Sequence, residues 1–246
     1  MTECPFDASV LTDFKQECLN IYISKLLGLA ILGGSVAVKL PQVWNIASTQ
    51  NVEGLSPLSF YSEVLLFGAH AVYNFRQGNP FTSYGESCAI FVQNILLVVL
   101  LWKYMRPAPS NGHQLAVTAA LGACLALMFA LPADFMFVLP LLNLPLTVAA
   151  RVPQIAANFQ QRSTGQLSLI TTTLNFLGGL ARVFTTLHEI GSDWYLLGGL
   201  ALGLSTNGIL LAQIIYYSFI RAPKQASVEK AKPGPEGKAV ETKKDK

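Results

Sequence analysis

Lys39-Leu40-Pro41-Gln42-Val43 and Arg151-Val152-Pro153-Gln154-Ile155 spell one pattern twice, a basic residue, an aliphatic, Pro-Gln and a second aliphatic, 112 positions apart (153 − 41). The same offset carries Leu55-Ser56 onto Leu167-Ser168, and an offset of 113 carries Asn94 onto Asn207. One Pro-Gln pair is common. A repeated one, followed at the same distance by a second match, marks an internal duplication, and a duplication constrains architecture before any single motif does. Both copies lie in apolar sequence. A membrane-spanning helix needs about 20 mainly apolar residues. Seven stretches meet that need, roughly Leu26–Ile46, Leu58–Phe75, Tyr84–Met105, Gln114–Leu131, Phe135–Phe159, Leu167–Leu187 and Tyr195–Ile220. Turn chemistry separates several of them, at Gln77-Gly78-Asn79-Pro80, from Arg106-Pro107 to Gly112, and at Gly191-Ser192-Asp193. Segments this long and continuous are not the short alternating strands of a membrane barrel.

The count gives the repeat its geometry. Three spans reverse the side of the membrane, so a second copy in the same orientation requires one linking span. The expected fold is therefore an all-α membrane protein of seven transmembrane helices, two parallel three-helix bundles joined by a linker helix (3+1+3). The bundles are then related by an axis along the membrane normal, as in several carriers. A proline removes one backbone hydrogen bond and bends a helix. Matching kinks are expected at Pro41 and Pro153, with Pro140 and Pro145 making the fifth span the least regular.

Composition agrees with this reading. The chain is 52% hydrophobic and 13% charged, against about a quarter charged in soluble domains. Of its 17 Lys and Arg and 14 Asp and Glu, 8 and 4 fall between Arg221 and Lys246, leaving 9 basic and 10 acidic residues for the first 220. A soluble enzyme, a coiled coil and a basic nucleic-acid binder are excluded. Lys103, Arg106, Arg162, Arg221, Lys224, Lys230 and Lys232 gather on the side that holds the C-terminus, and only Lys15, Lys25 and Arg76 on the other. The positive-inside rule places that tail in the cytosol. The expected division is 1–25 as an N-terminal segment on the opposite, lumenal side, 26–105 as repeat one, 106–134 as the linker helix, 135–220 as repeat two, and 221–246 as a disordered basic tail. Glu3, Asp7, Asp13 and Glu17 precede the first span, unlike the basic start of a signal peptide, so that span is expected to be retained. The tail ends Lys243-Lys244-Asp245-Lys246. Lysines at the third and fourth positions from the end resemble the dilysine signal for retrieval to the endoplasmic reticulum, an address read by a receptor rather than an anchor. Cys4, Cys18, Cys88 and Cys124 show neither metal-ligand nor disulfide-framework spacing.

Ionisable groups inside spans cost about 2.5–3.5 kcal/mol each on insertion scales and are functional candidates by default. Here they are Lys39, Glu63, Glu86, Arg151 and Arg182, with His70 as a further titratable group. Lys39 and Arg151 occupy equivalent repeat positions. Two readings stand: they hold an anionic group such as a phosphate from the two halves of a cavity, or they snorkel to lipid headgroups from span ends. Glu63 and Glu86 are expected to pair with Lys39 or Arg182 as a buried charge network. Gln42, Gln154, Asn94 and Asn207 join Pro41 and Pro153 as candidate substrate-binding positions, against a role as interhelical glue. No nucleophile–base pair, phosphate loop or metal-spaced set appears, so neither an enzyme, a metal nor a cofactor is expected.

Paired Pro-Gln spans in this arrangement resemble the PQ-loop repeat family, relatives of the SWEET sugar carriers and of cystinosin. Within it, Gly33-Gly34-Ser35 through Val43, Glu53-Gly54-Leu55-Ser56, Asn79-Pro80-Phe81 with Gly85-Glu86, and Thr164-Gly165-Gln166-Leu167-Ser168 continuing to Gly178-Gly179-Leu180-Ala181-Arg182-Val183-Phe184-Thr185 are similar to the mannose-P-dolichol utilization defect branch. The likeness runs from about Gly28 to Ile220. It implies a multi-pass endoplasmic reticulum protein, N-terminus lumenal and C-terminus cytosolic. It also implies a need for this protein when mannose-P-dolichol and glucose-P-dolichol serve as lumenal donors for N-glycan precursors, GPI anchors and mannosylation. The implied partners are membrane lipid and those dolichol-phosphate sugars, with no nucleic acid. Two other readings stay open: a small-solute transporter like the sugar and cystine carriers, and an assembly factor for lumenal glycosyltransferases. Cystinosin-like carriers use an aspartate near the second Pro-Gln motif. No Asp or Glu lies between Asp134 and Glu189 here, which speaks against proton-coupled transport of that kind.

Overall fold

The computed structural model describes residues 16–164 and 167–221; the segment 1–15, Gly165, Gln166 and the tail with Lys243 and Lys244 lie outside the described residues. Every regular element among the described residues is helical: α1 (Gln16–Val38), α2 (Leu40–Thr49), α3 (Pro57–Arg76), α4 (Gly85–Tyr104), α5 (Asn111–Ala130), α6 (Val138–Leu141), α7 (Asn143–Gln161), α8 (Leu169–Glu189) and α9 (Trp194–Ile215). Helices α1 with α2, and α6 with α7, form two broken helices, so the seven expected spans are all present. Among the described residues, five stretches are both long and apolar enough to cross a membrane: Leu19–Thr49, Gly85–Tyr104, Asn111–Ala130, Ala133–Gln161 and Trp194–Ile220. The other two, α3 and α8, have the length at 20 and 21 residues. They carry Glu63, His70 and Asn74, and Arg182 and Glu189, and they are the equivalent middle helices of the two repeats. Their polar groups turn inward, as membrane bundles require.

The backbone repeats as the sequence does. Gln50 and Arg162, again 112 apart, close α2 and α7 in the left-handed conformation at φ 53° and 52°. Gly78 and Gly191, 113 apart, follow α3 and α8 at φ 69° and 92°. Residues with positive φ stop a helix by turning its last carbonyls back on the chain.

One bundle is α1–α2, α3 and α4, and the other is α6–α7, α8 and α9. Between them α5 packs on α3, where Gly68 leaves room: a Cβ there would fall 2.5 Å from Leu125 Cδ2. Arg76 at the end of α3 donates to the carbonyls of Phe129 and Leu131, capping α5. Across the bundles α1 meets α8, and α3 meets α6. Exchanging the repeats turns one pair into the other, which is the contact pattern of a two-fold pseudo-axis along the helices. The apolar core is small. One cluster gathers Ile46, Phe60, Val64, Leu97, Val98 and Leu101 within the first bundle, and another joins Ala69 and Tyr73 to Met136, Leu139 and Leu196 across the two. Large apolar side chains such as Leu26, Trp44, Leu58, Leu115 and Phe159 face outward, the surface expected where the solvent is hydrocarbon.

Two expectations are corrected. Helix α1 begins at Gln16, ahead of Leu26: Ser24 is buried within it and donates to Glu189 of α8, so a polar residue there does not end the helix. The kinks do not match. The first bundle breaks at Lys39, with Pro41 in the opening turn of α2, where no amide donor is needed. Pro153 instead stands inside an uninterrupted α7, and the second break falls earlier, at Leu142 between Pro140 and Pro145.

Candidate functional site

Where α1 stops at Val38, the amide of Lys39 and the carbonyl of Ser35 lose each other as partners. Gln93 of α4 takes both places: its Oε1 accepts from Lys39 N at 3.0 Å and its Nε2 donates to Ser35 O at 3.0 Å. A side-chain amide thus replaces the missing helical bond. This holds the break open and turns Lys39 toward the interior. There Lys39 Nζ meets Glu63 Oε2 of α3 at 2.6 Å.

Beside this pair lies a cavity of about 740 Å³. Its walls come from α3 (Glu63, Leu66, Phe67, His70), from α6 and α7 (Pro140 and Asn143 through Arg151), from α4 (Glu86, Ser87, Ile90) and from α9 (Tyr195 through Asn207), with Lys39 at the α1–α2 break. Along α9 the wall runs from Tyr195 to Asn207, twelve helical steps or about 18 Å. Gly199 and Gly203 keep that wall flat. A Cβ at Gly203 would meet nothing within 4 Å, so the space there is open.

The charges of the cavity are unequally settled. Glu63 belongs to Lys39. Glu86 Oε1 lies 2.7 Å from Arg182 Nε, an ion pair whose angles are not those of a hydrogen bond, and Arg182 Nη1 donates to Ser83 O at 3.0 Å. Arg151 has no ion-pair or hydrogen-bond partner among the described residues, although it lines the same walls. His70 Nδ1 stands 3.0 Å from Ser87 Oγ. With both ion pairs neutral, Arg151 leaves the cavity one uncompensated positive charge. Asn207 adds an amide oxygen that is buried with no hydrogen-bond partner. A cation over leucine, phenylalanine and glycine walls suits an amphiphile with one anionic group.

The cavity therefore brings together Lys39, Arg151, Glu63, Glu86 and Asn207 from the sequence candidates. Arg182 stands behind Glu86 rather than in the wall. The Pro-Gln residues are outside it. Pro41 and Pro153 are exposed, Gln42 and Gln154 half-buried, and the same exposure pattern repeats in both copies. Asn94 is fully buried away from the cavity wall with neither amide atom paired. Its neighbour Gln93, which carries the break, was not a sequence candidate. Glu189 was not one either. It is buried at the end of α8, accepting from Ser24 at 2.9 Å and from Thr82 and Ser83 at 2.5 Å each. It falls just beyond the sixth span as bounded from sequence, Leu167–Leu187. Tyr73 and Asp193 join the bundles at the same end, Tyr73 donating to Asp193 Oδ2 at 2.6 Å.

With this geometry in place, comparison with known proteins adds two findings. Residues 23–83 and 135–195 each match the PQ loop repeat, together about half of the chain and one match in each bundle. Solute carrier family 66 member 3 of Homo sapiens is 25% identical over 167 residues, covering 66% of this chain and 80% of that protein.

Proposed function

We propose, from the premise that this chain is a PQ-loop repeat membrane protein related to the solute carrier 66 family, that its cavity receives the phosphosugar headgroup of mannose-P-dolichol or glucose-P-dolichol. It thereby makes those lipids usable as lumenal donors for N-glycan precursors, GPI anchors and mannosylation, without itself transferring the sugar. The observation that carries this reading is Arg151, the one cavity charge among the described residues with no counter-charge. A guanidinium presents a planar fork to a phosphodiester, and Asn207 in the same wall carries a buried amide oxygen with no hydrogen-bond partner. The location proposed with it is the endoplasmic reticulum membrane. The lysine and arginine bias supports a lumenal N-terminus and a cytosolic C-terminus, and Lys243 and Lys244 supply the retrieval address.

A second reading has its own support. The human relative is named a solute carrier, and a cavity between two repeats also fits a free small solute. One experiment separates them. Purified protein in nanodiscs is titrated with a short-chain mannose-P-dolichol analogue and, separately, with free mannose. The proposal expects saturable binding of the analogue alone. Arg151→Gln should weaken it about ten- to hundredfold, the range for a lost charged hydrogen bond, and Arg151→Lys should retain part of it. Binding of free mannose but not of the analogue would favour the carrier.

A further inference from the structure

The two bundles meet along two seams that the repeat makes equivalent, and the seams are not alike. On the first, α1 lies against α8 and the turn before α4. Gly28 permits the approach, since a Cβ there would fall 2.9 Å from Thr82 O. The seam is then fastened by polar groups. Ser24, Thr82 and Ser83 of the first bundle all donate to Glu189 of the second, and Arg182 donates to Ser83 O. Ser24, Ser83, Arg182 and Glu189 are each under a tenth exposed. A buried carboxylate held by three hydroxyls is costly to part, because it would lose all three donors together while still shielded from water.

On the second seam, α3 touches α6 at one end through Ala69, Tyr73, Met136 and Leu139. Beyond that point α3 and α7 are at most sparsely in contact. Their facing walls, Glu63 to His70 and Asn143 to Arg151, are two sides of the cavity. The cavity is this unsealed seam. Its lip on α7 is apolar, for Leu146 lines the cavity and is 47% exposed.

We infer that the α3–α7 seam is a lateral portal through which a phosphate-bearing polyisoprenyl lipid enters from the bilayer, its phosphate at Arg151 and its chain passing out between α3 and α7. The inference rests on the reading of the ligand given above. Charge complementarity selects the anionic end, and the apolar lip selects the chain. A water-soluble phosphosugar needs no such gap between helices. The fastened α1–α8 seam accounts for the asymmetry between the two sides: Glu189 and its hydroxyls hold that side together, while the α3–α7 side lines the cavity.

The test is made on full-length protein with its four cysteines replaced and the pair Leu66→Cys and Leu146→Cys introduced, bridged by a cleavable bis-maleimide. Mannose-P-dolichol and mannose 1-phosphate are titrated before bridging, after it and after cleavage. The expected result is a tenfold or larger loss for the dolichol-linked ligand on bridging, restored on cleavage, with mannose 1-phosphate unchanged. Equal loss of both ligands, or loss of neither, overturns the portal. Should neither ligand bind before bridging, the reading of the ligand falls. The portal is then decided by a bimane label on Leu66→Cys in bilayers of brominated phospholipid, where strong quenching supports an opening to the bilayer and absent quenching overturns it.

Discussion

Gln93 and Asn94 are neighbours on α4 with opposite predicted consequences. Gln93→Met keeps the volume and shape of the side chain and removes only its amide. The amide of Lys39 and the carbonyl of Ser35, both now bonded to Gln93 at 3.0 Å, would then be left facing one another across the break. Leaving two buried backbone groups unpaired costs about 1–3 kcal/mol each. The two belong to residues four apart, however, and straightening of α1 lets them bond again. Side-chain hydrogen bonds inside membranes are also measured at only about 0.6–1.7 kcal/mol. A net loss of about 1–3 kcal/mol is therefore expected. Straightening carries a second effect, because Lys39 would rotate away from Glu63 and the cavity would lose its first ion pair. Asn94→Ala removes an amide with no partner on either atom. The relieved desolvation and the small void left behind should cancel to within about 1 kcal/mol. Reversible unfolding in mixed detergent micelles reads both. Wild-type stability for Gln93→Met, or a larger loss for Asn94→Ala than for Gln93→Met, would refute the account of how the break is held.

The remaining predictions concern the charges and the joints. Glu63→Gln frees Lys39, giving the cavity a second uncompensated cation, and is expected to tighten binding of a phosphate-bearing lipid several-fold with a steeper salt dependence; unchanged affinity would place Lys39 outside the binding field. Gly203→Leu projects into open space, so it should abolish ligand binding while leaving the unfolding midpoint near wild type. Tyr73→Phe should cost about 1 kcal/mol for one hydrogen bond. Asp193→Ala should cost about 2 kcal/mol, since the same carboxylate also caps α9 through the amides of Tyr195 and Leu196.

Much of this fold is written plainly in the chain. The duplicated basic-x-Pro-Gln motif gives the offset, the offset gives two bundles, and the odd helix between them gives their shared direction. The left-handed residues Gln50 and Arg162 then fall at the same spacing. What the sequence withholds is rotational phase. Successive residues on a helix point about 100° apart, so Asn94 and Gln93 look interchangeable on paper and have entirely different surroundings in the fold. The prolines mislead for a related reason. Pro41 and Pro153 share a motif but not a position in a helix: at the first copy the break falls at Lys39, where Gln93 bonds the amide of Lys39 and the carbonyl of Ser35, and Pro41 only opens the next helix. At the second, Pro140 and Pro145 have already broken the helix upstream. Glu189 escapes notice because a carboxylate at a span end is ordinarily solvated; its three hydroxyl partners lie more than a hundred residues away in the chain.

The most direct measurement is the profile of lipid-linked oligosaccharides in cells lacking this protein and complemented with the wild-type chain or with Arg151→Gln. The account predicts truncated dolichol-linked glycans, normal synthesis of mannose-P-dolichol, and rescue by the wild type but not by an equally abundant Arg151→Gln protein. Normal glycans with altered uptake of a free solute would contradict it, as would full rescue by Arg151→Gln.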